Sequence, residues 1–118
     1  MKSRPPIKRK TDAGTEIVFP HVRHAAGIWS KHTGYMFRPR ADYVLLFDLR
    51  GPRVVISNLF VFQTLDLVFL DEAKQVIGHR RRFRPFTPAF WPPRGTAYLI
   101  EVPAHLDYSL SVGDTLTF

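Results

Sequence analysis

Two groups of side chains in this sequence have the types and spacing that could do chemistry: one acid inside an apolar run, and a row of arginines set among aromatic rings. The acid is Asp66, flanked by Leu65, Leu67, Val68, Phe69 and Leu70. A carboxylate in such surroundings is costly unless it is paired or faces a pocket. Arg38 is a natural partner for it, with Ser57 and Asn58 as polar neighbours. An enzymatic reading makes Asp66 a general base, with Asn58 or Ser57 polarising a substrate. A structural reading lets Asp66 cap a turn or bond backbone N–H groups at the start of its strand. The structural reading is favoured, because nothing in the sequence forms a nucleophile, base and orienting group. Asp66, Arg38, Ser57 and Asn58 are therefore candidates for ligand binding, and no residue is assigned a catalytic role.

The arginine row runs through His79, Arg80, Arg81, Arg82, Phe83 and Arg84, and continues among Phe86, Phe90, Trp91 and Arg94. Guanidinium groups neutralise phosphates and aromatic faces stack bases, so Arg80, Arg81, Arg82, Arg84, Phe90, Trp91 and Arg94 resemble the surface of a single-strand nucleic-acid binder. The plainer reading fastens the proline-rich loop to the core by its aromatics and leaves the arginines in water or paired with acids. No ribonucleoprotein, KH or zinc-knuckle motif accompanies the row.

Several other chemistries are excluded or unsupported. With no cysteine, disulfides, thiolate metal sites and a cysteine nucleophile are ruled out. His21, His24 and His32 lie close in sequence, but no H-E-x-x-H motif and no carboxylate at helical spacing joins them, so scattered surface histidines are expected rather than a metal site. Phosphate-loop, dinucleotide and nucleophile-elbow glycine motifs are absent, and no cofactor is expected. No apolar run approaches the roughly 18 residues of a membrane helix. The basic start MKSRPPIKRK leads into TDAGTE rather than a signal peptide's apolar segment, so a cytoplasmic protein is expected.

The formal net charge of +7 is uneven. Residues 1–10 and 74–94 hold 11 of the 17 basic residues and no acid, leaving six basic residues against all ten acidic ones. The basicity thus belongs to the start of the chain and to one loop. Residues 1–13, with Pro5-Pro6, five cations and few apolar side chains, read as a flexible basic arm. Residues 14–118 read as a single β domain, large enough for one core.

The elements that must position these groups follow in order. Glu16–Pro20 reads as a short edge strand and His24–Lys31 as a short helix. Tyr43–Leu49 is a buried strand, Arg50-Gly51-Pro52 a turn, and Arg53–Phe62 a second long strand. Leu65–Arg84 reads as a hairpin turning at Asp71–Lys74, its first strand apolar on both faces and therefore central in a sheet. Four prolines between Pro85 and Gly95 make that stretch a loop. Ala97–Val102 is a strand with Tyr98, Ile100 and Val102 on one side. Pro103 is placed to start one turn of helix over Ala104–Leu110, and Val112–Asp114 turns the chain into a last strand. The sum is a mainly β fold, a compact antiparallel barrel or sandwich of jelly-roll type with one or two short helices.

The order of motifs resembles a known family. Gly34-Tyr35-Met36-Phe37-Arg38 resembles a G-L-M-F-R element, followed by Leu45-Leu46-Phe47. Leu65–Asp71 resembles P-[LI]-D-[VIL]-[VA]-F-[LI]-D, and Tyr98–Ala104 with Val112-Gly113-Asp114 resembles Y-x-L-E-[LV]-P-A-G followed by V-G-D. These are landmarks of the uncharacterised family called domain of unknown function 192, here in an archaeal-type version, over about Glu16–Phe118. The resemblance implies a compact, mostly antiparallel β fold with small helices, and no known activity. The chain departs from the pattern at Thr64, at Ser57-Asn58, and in lacking the family's glycine after Pro103-Ala104. The functional expectation is a non-enzymatic binding or interaction module. A nucleic-acid accessory protein using the loop 79–94 and the basic arm is the alternative, and an enzyme with a cleft near Asp66 is a further one. Partner identity and oligomeric state are not legible.

Overall fold

The computed structural model describes residues 2–25, 42–50, 64–84 and 91–118. These residues form nine strands and no helix: β1 (Lys2–Arg4), β2 (Ile7–Thr11), β3 (Gly14–Phe19), β4 (Val22–Ala25), β5 (Val44–Asp48), β6 (Leu65–Leu70), β7 (Val76–Phe83), β8 (Tyr98–Pro103) and β9 (Leu116–Thr117). Six strands make one sheet in the order β1-β4-β5-β8-β6-β7, and three make a second in the order β3-β2-β9.

The three most apolar stretches take the middle of the large sheet. In β6 and β8 every residue is buried, and in β5 all but the last. Strands covered on both faces need apolar side chains at odd and even positions alike, which is why these runs lack the usual alternation. One face of the sheet carries Val44, Leu46, Val68, Leu70, Ile100 and Val102 into a cluster shared with Ile7, Phe19 and Leu116 of the small sheet. The other face carries Leu45, Phe47, Leu67, Phe69, Phe83 and Leu99 in a second cluster.

The expected hairpin forms with β6 and β7 antiparallel. Its turn is built by Asp71, whose Oδ1 accepts the N–H groups of Ala73 and Gln75, both at 2.9 Å, while Lys74 takes the left-handed conformation at φ 64°. The turn is also tied to the chain end: Leu116 N–H donates to the Lys74 carbonyl at 2.9 Å and Gly113 N–H to that of Val76 at 2.8 Å.

Three expectations are corrected. The first concerns the arm expected over residues 1–13, where Lys2–Arg4 and Ile7–Thr11 are strands. β1 pairs with β4, and β2 pairs with β3 through the loop Asp12-Ala13, with Gly14 at φ 127° closing it. Ile7 is fully buried, and Arg9 reaches Glu16, the Ser109 carbonyl at 2.8 Å and Asp114 at 3.3 Å. The acids that balance Arg9 come from elsewhere in the chain, where a local reading of charge does not see them.

The second correction concerns direction, because β4 and β5 are parallel and the sheet is mixed. The connection between them, residues 26–43, is long enough for a crossover. The third is that no helix follows Pro103. Pro103 ends β8 opposite Leu65, Ala104 N–H donates to the Thr64 carbonyl at 3.1 Å, and Leu110 is drawn into the core. The barrel is not closed among the described residues. The strand expected at Glu16–Pro20 is the edge strand β3. The strand at Arg53–Phe62, the Gly34–Arg38 motif and residues 26–31 of the expected helix lie outside the described residues, and the first two residues of that helix, His24 and Ala25, are in strand β4 instead.

Candidate functional site

Asp66 sits on the face of β6 that carries Val68 and Leu70, and is 5% exposed. A bulge between Leu65 and Leu67 brings two residues of β7, Arg81 and Arg82, opposite it. Asp66 Oδ1 accepts the backbone N–H of Arg82 at 2.9 Å, and Oδ2 accepts the Tyr108 hydroxyl at 2.6 Å. The Arg81 Nη1 stands 3.6 Å from Oδ2, and its guanidinium lies over the Tyr108 ring at 5.3 Å. Arg82 itself has φ 55°, a conformation uncommon outside glycine, and the bond to Asp66 compensates it.

Burial, and then the bond to Asp66, raise the Tyr108 hydroxyl well above its ordinary range, so it remains a donor. His79 lines the same side, its ring 6.4 Å from that of Tyr108. Burial first and the Arg81 charge second push its imidazole down from the ordinary value. Both oxygens of Asp66 are engaged, so a general-base role would require breaking the short bond to Tyr108. The carboxylate buttresses a pair of arginines, bonding a backbone N–H of the neighbouring strand rather than one at the start of its own.

The other sequence candidates divide clearly. Arg80, Arg81 and Arg82 lie in the exposed part of β7, with Arg84 exposed just beyond it. Arg80 points to the opposite face from Arg81, over the Phe83 ring at 5.9 Å. Trp91, 53% exposed, and Arg94 stand at the surface, while Pro92 between them is buried. A Cβ on Gly78 would be 3.7 Å from Pro93, which places this segment beside β7. Arg38, Ser57, Asn58 and Phe90 lie outside the described residues. Among the described residues no group of three acids or histidines could hold a metal ion.

Sequence reasoning passed over two residues. Tyr108, in a segment read as helix, supplies the closest partner of Asp66. Glu101, in β8, is 2% exposed between Leu45 and Leu67, and its Oε2 has no hydrogen bond. Burial pushes its carboxyl up to about 8. The signal that singled out Asp66, an acid inside an apolar strand, is present for Glu101 as well.

Comparison with known proteins agrees with this architecture. Residues 8–118 match the family model of domain of unknown function 192, described as "Uncharacterized ACR". A UPF0127 protein of Thermococcus sibiricus is 32% identical over 101 residues, covering 80% of this chain. The match takes in 64% of that relative, so the chain spans less than two thirds of its length. A crystal structure of a protein of unknown function from Novosphingobium aromaticivorans is similar at TM-score 0.76 and 14% identity, covering 100% of this chain and 94% of the other. Another, of a protein of Sinorhizobium meliloti described as a putative transcription regulator, gives TM-score 0.72 at 20% identity, covering 94% and 90%. At such identities the likeness is one of fold.

Proposed function

The chain belongs to the uncharacterised family domain of unknown function 192, and from that premise we propose that it is a non-enzymatic binding module presenting the arginine edge of β7 to an anionic partner. The carrying observation is the Asp66 buttress. A buried carboxylate holds the backbone of Arg82 and the flank of Arg81, while both side chains stay at the surface. Fixing a donor before its partner arrives removes part of the entropy of ordering it on binding. The reading includes one β domain of jelly-roll-like, two-layer form that takes in the basic start of the chain, supported by the apolar cluster shared between the two sheets. It also places the protein in the cytoplasm, supported by the lack of cysteine; among the described residues no helix is long and apolar enough to cross a membrane.

Single-stranded nucleic acid is the second reading, favoured by the exposed Trp91 beside the strand. Among the described residues β7 ends the sheet, and a charged edge strand also discourages edge-to-edge association, so binding has to be separated from that effect. The test is retention on heparin and on a labelled oligonucleotide for the natural chain and for the double variant Arg81→Ser, Arg82→Ser. We expect the natural chain to be retained, with retention falling steeply with salt, and the variant to elute early while remaining monomeric. Equal retention of the two proteins would remove the proposal. Retention on heparin but not on the oligonucleotide, unchanged by Trp91→Ala, would remove the nucleic-acid reading alone.

A further inference from the structure

A second cation-rich place lies across the molecule from the Asp66 cluster, in a cavity of about 150 Å³. It is assembled from separate stretches: Arg4 of β1, His24 of β4, Asp48 and Arg50 at the end of β5, and Lys74 of the β6–β7 turn, with the rings of Tyr98 and Phe118. Three permanent cations thus meet one acidic side chain, Asp48, and the main-chain oxygen of Phe118. Gathering like charges around a cavity is unfavourable unless something of opposite sign shares it.

Two of the cations, Arg50 and Lys74, are held in place before any ligand arrives. Asp48 takes the Nε and Nη2 of Arg50 at 2.9 and 2.6 Å, and the guanidinium lies over the Tyr98 ring at 5.2 Å. Lys74 Nζ donates to the Phe118 carbonyl at 2.8 Å and sits over the Phe118 ring at 4.3 Å. These bonds leave unused donors. A guanidinium has five N–H groups and an ammonium three, so Arg50 and Lys74 each keep at least two for a ligand. His24 adds a buried Nδ1 that has no hydrogen bond. The bond to Arg50 holds the Asp48 carboxyl below its usual range, so the acid stays ionised and keeps Arg50 oriented. Glu72, which also acts on Arg50, lines the open cleft on its other side rather than this cavity.

We propose that this cavity is a binding site for a single small oxyanion of tetrahedral, phosphate-like form, separate from the β7 edge. At about 150 Å³ the space matches one such group with a few waters and is too small to enclose a whole nucleotide. Arg4, Arg50 and Lys74 all line it, together with the rings of Tyr98 and Phe118.

The test is a titration of the full chain with inorganic phosphate at low, constant ionic strength, followed by NMR at His24, Tyr98 and the Arg50 side chain, with acetate as the planar comparison. We expect saturable shifts at these groups with phosphate, and weaker binding of acetate. Arg4→Ser should weaken phosphate binding about tenfold, the loss of one charge-assisted contact. Lys74→Met should do the same, and Arg4→Ser covers the case in which the turn variant unfolds. Arg81→Ser with Arg82→Ser should leave phosphate binding unchanged, which separates this site from the proposed β7 surface. Shifts that rise linearly without saturation, or that persist undiminished in Arg4→Ser, would mean non-specific ion association and overturn the proposal.

Discussion

Asp66 and Glu101 are both acids buried in neighbouring central strands, and they have opposite surroundings. Asp66, on the face of β6 toward the small sheet, meets a hydroxyl, a backbone N–H and a guanidinium. Glu101, on the other face of β8, has an oxygen with no hydrogen bond and Leu45 and Leu67 as its cross-strand neighbours. The same residue class in the same kind of strand is therefore an ionic buttress in one place and a neutral acid at pH 7 in the other. What separates them is the supply of donors, which the bulge in β7 and the segment carrying Tyr108 provide on only one face.

The comparison can be broken most sharply at Asp66. Asp66→Ala leaves the part-buried Tyr108 hydroxyl and Arg82 N–H without their acceptor, and the expected loss is about 3–5 kcal/mol in urea unfolding. A loss under about 1 kcal/mol would show that the cluster is dispensable.

Glu101 is tested by pH. Its folded carboxyl titrates at about 8 against an ordinary 4.5, so between those values the folded chain binds a proton that the unfolded chain has released. Stability from this group is complete below about pH 4.5 and falls as pH rises toward 8, by about 3 kcal/mol at pH 7. His79 acts in the opposite direction: its lowered value makes stability fall as pH drops through and below its ordinary 6.5. The useful measurement is therefore the difference between the natural chain and Glu101→Gln, in which His79 cancels. Relative to the variant, the natural chain should lose stability steadily from pH 5 to 8, and a flat difference would contradict the neutral-acid reading.

The smallest expected effect is that of Tyr108→Phe, about 1–2 kcal/mol, because Asp66 keeps Arg82 and Arg81 when the hydroxyl is removed. If that loss equalled the loss in Asp66→Ala, the tyrosine would account for the whole buttress.

Leu65–Leu70 announced a strand buried on both faces, and Asp71–Lys74 announced its turn, because both signals are local: an unbroken apolar run and an aspartate able to bond the backbone ahead of it. The row at β7 was likewise legible as exposed arginine. The basic start was misread because Ile7 is a single buried anchor and the partners of Arg9, Glu16 and Asp114, lie in other strands. Tyr108 was hidden for a similar reason. It lies 42 residues from Asp66 in sequence, in a stretch whose pattern fits a helix equally well. Glu101 was visible but passed over, since a strand with Tyr98, Ile100 and Val102 on one side leaves it on the other, and only the fold covers both.

By itself, then, the sequence determined the β character of the chain, its family, the central strand and the place of the positive charge, all consequences of side-chain type and short-range spacing. Only the tertiary structure decided which buried acid is paired and which is not, that β4 runs parallel to β5, and that Arg4, Arg50 and Lys74 meet around one cavity. Those outcomes depend on contacts between residues far apart in the chain, where the energy of a charge is set by the neighbours that folding delivers rather than by those beside it in sequence.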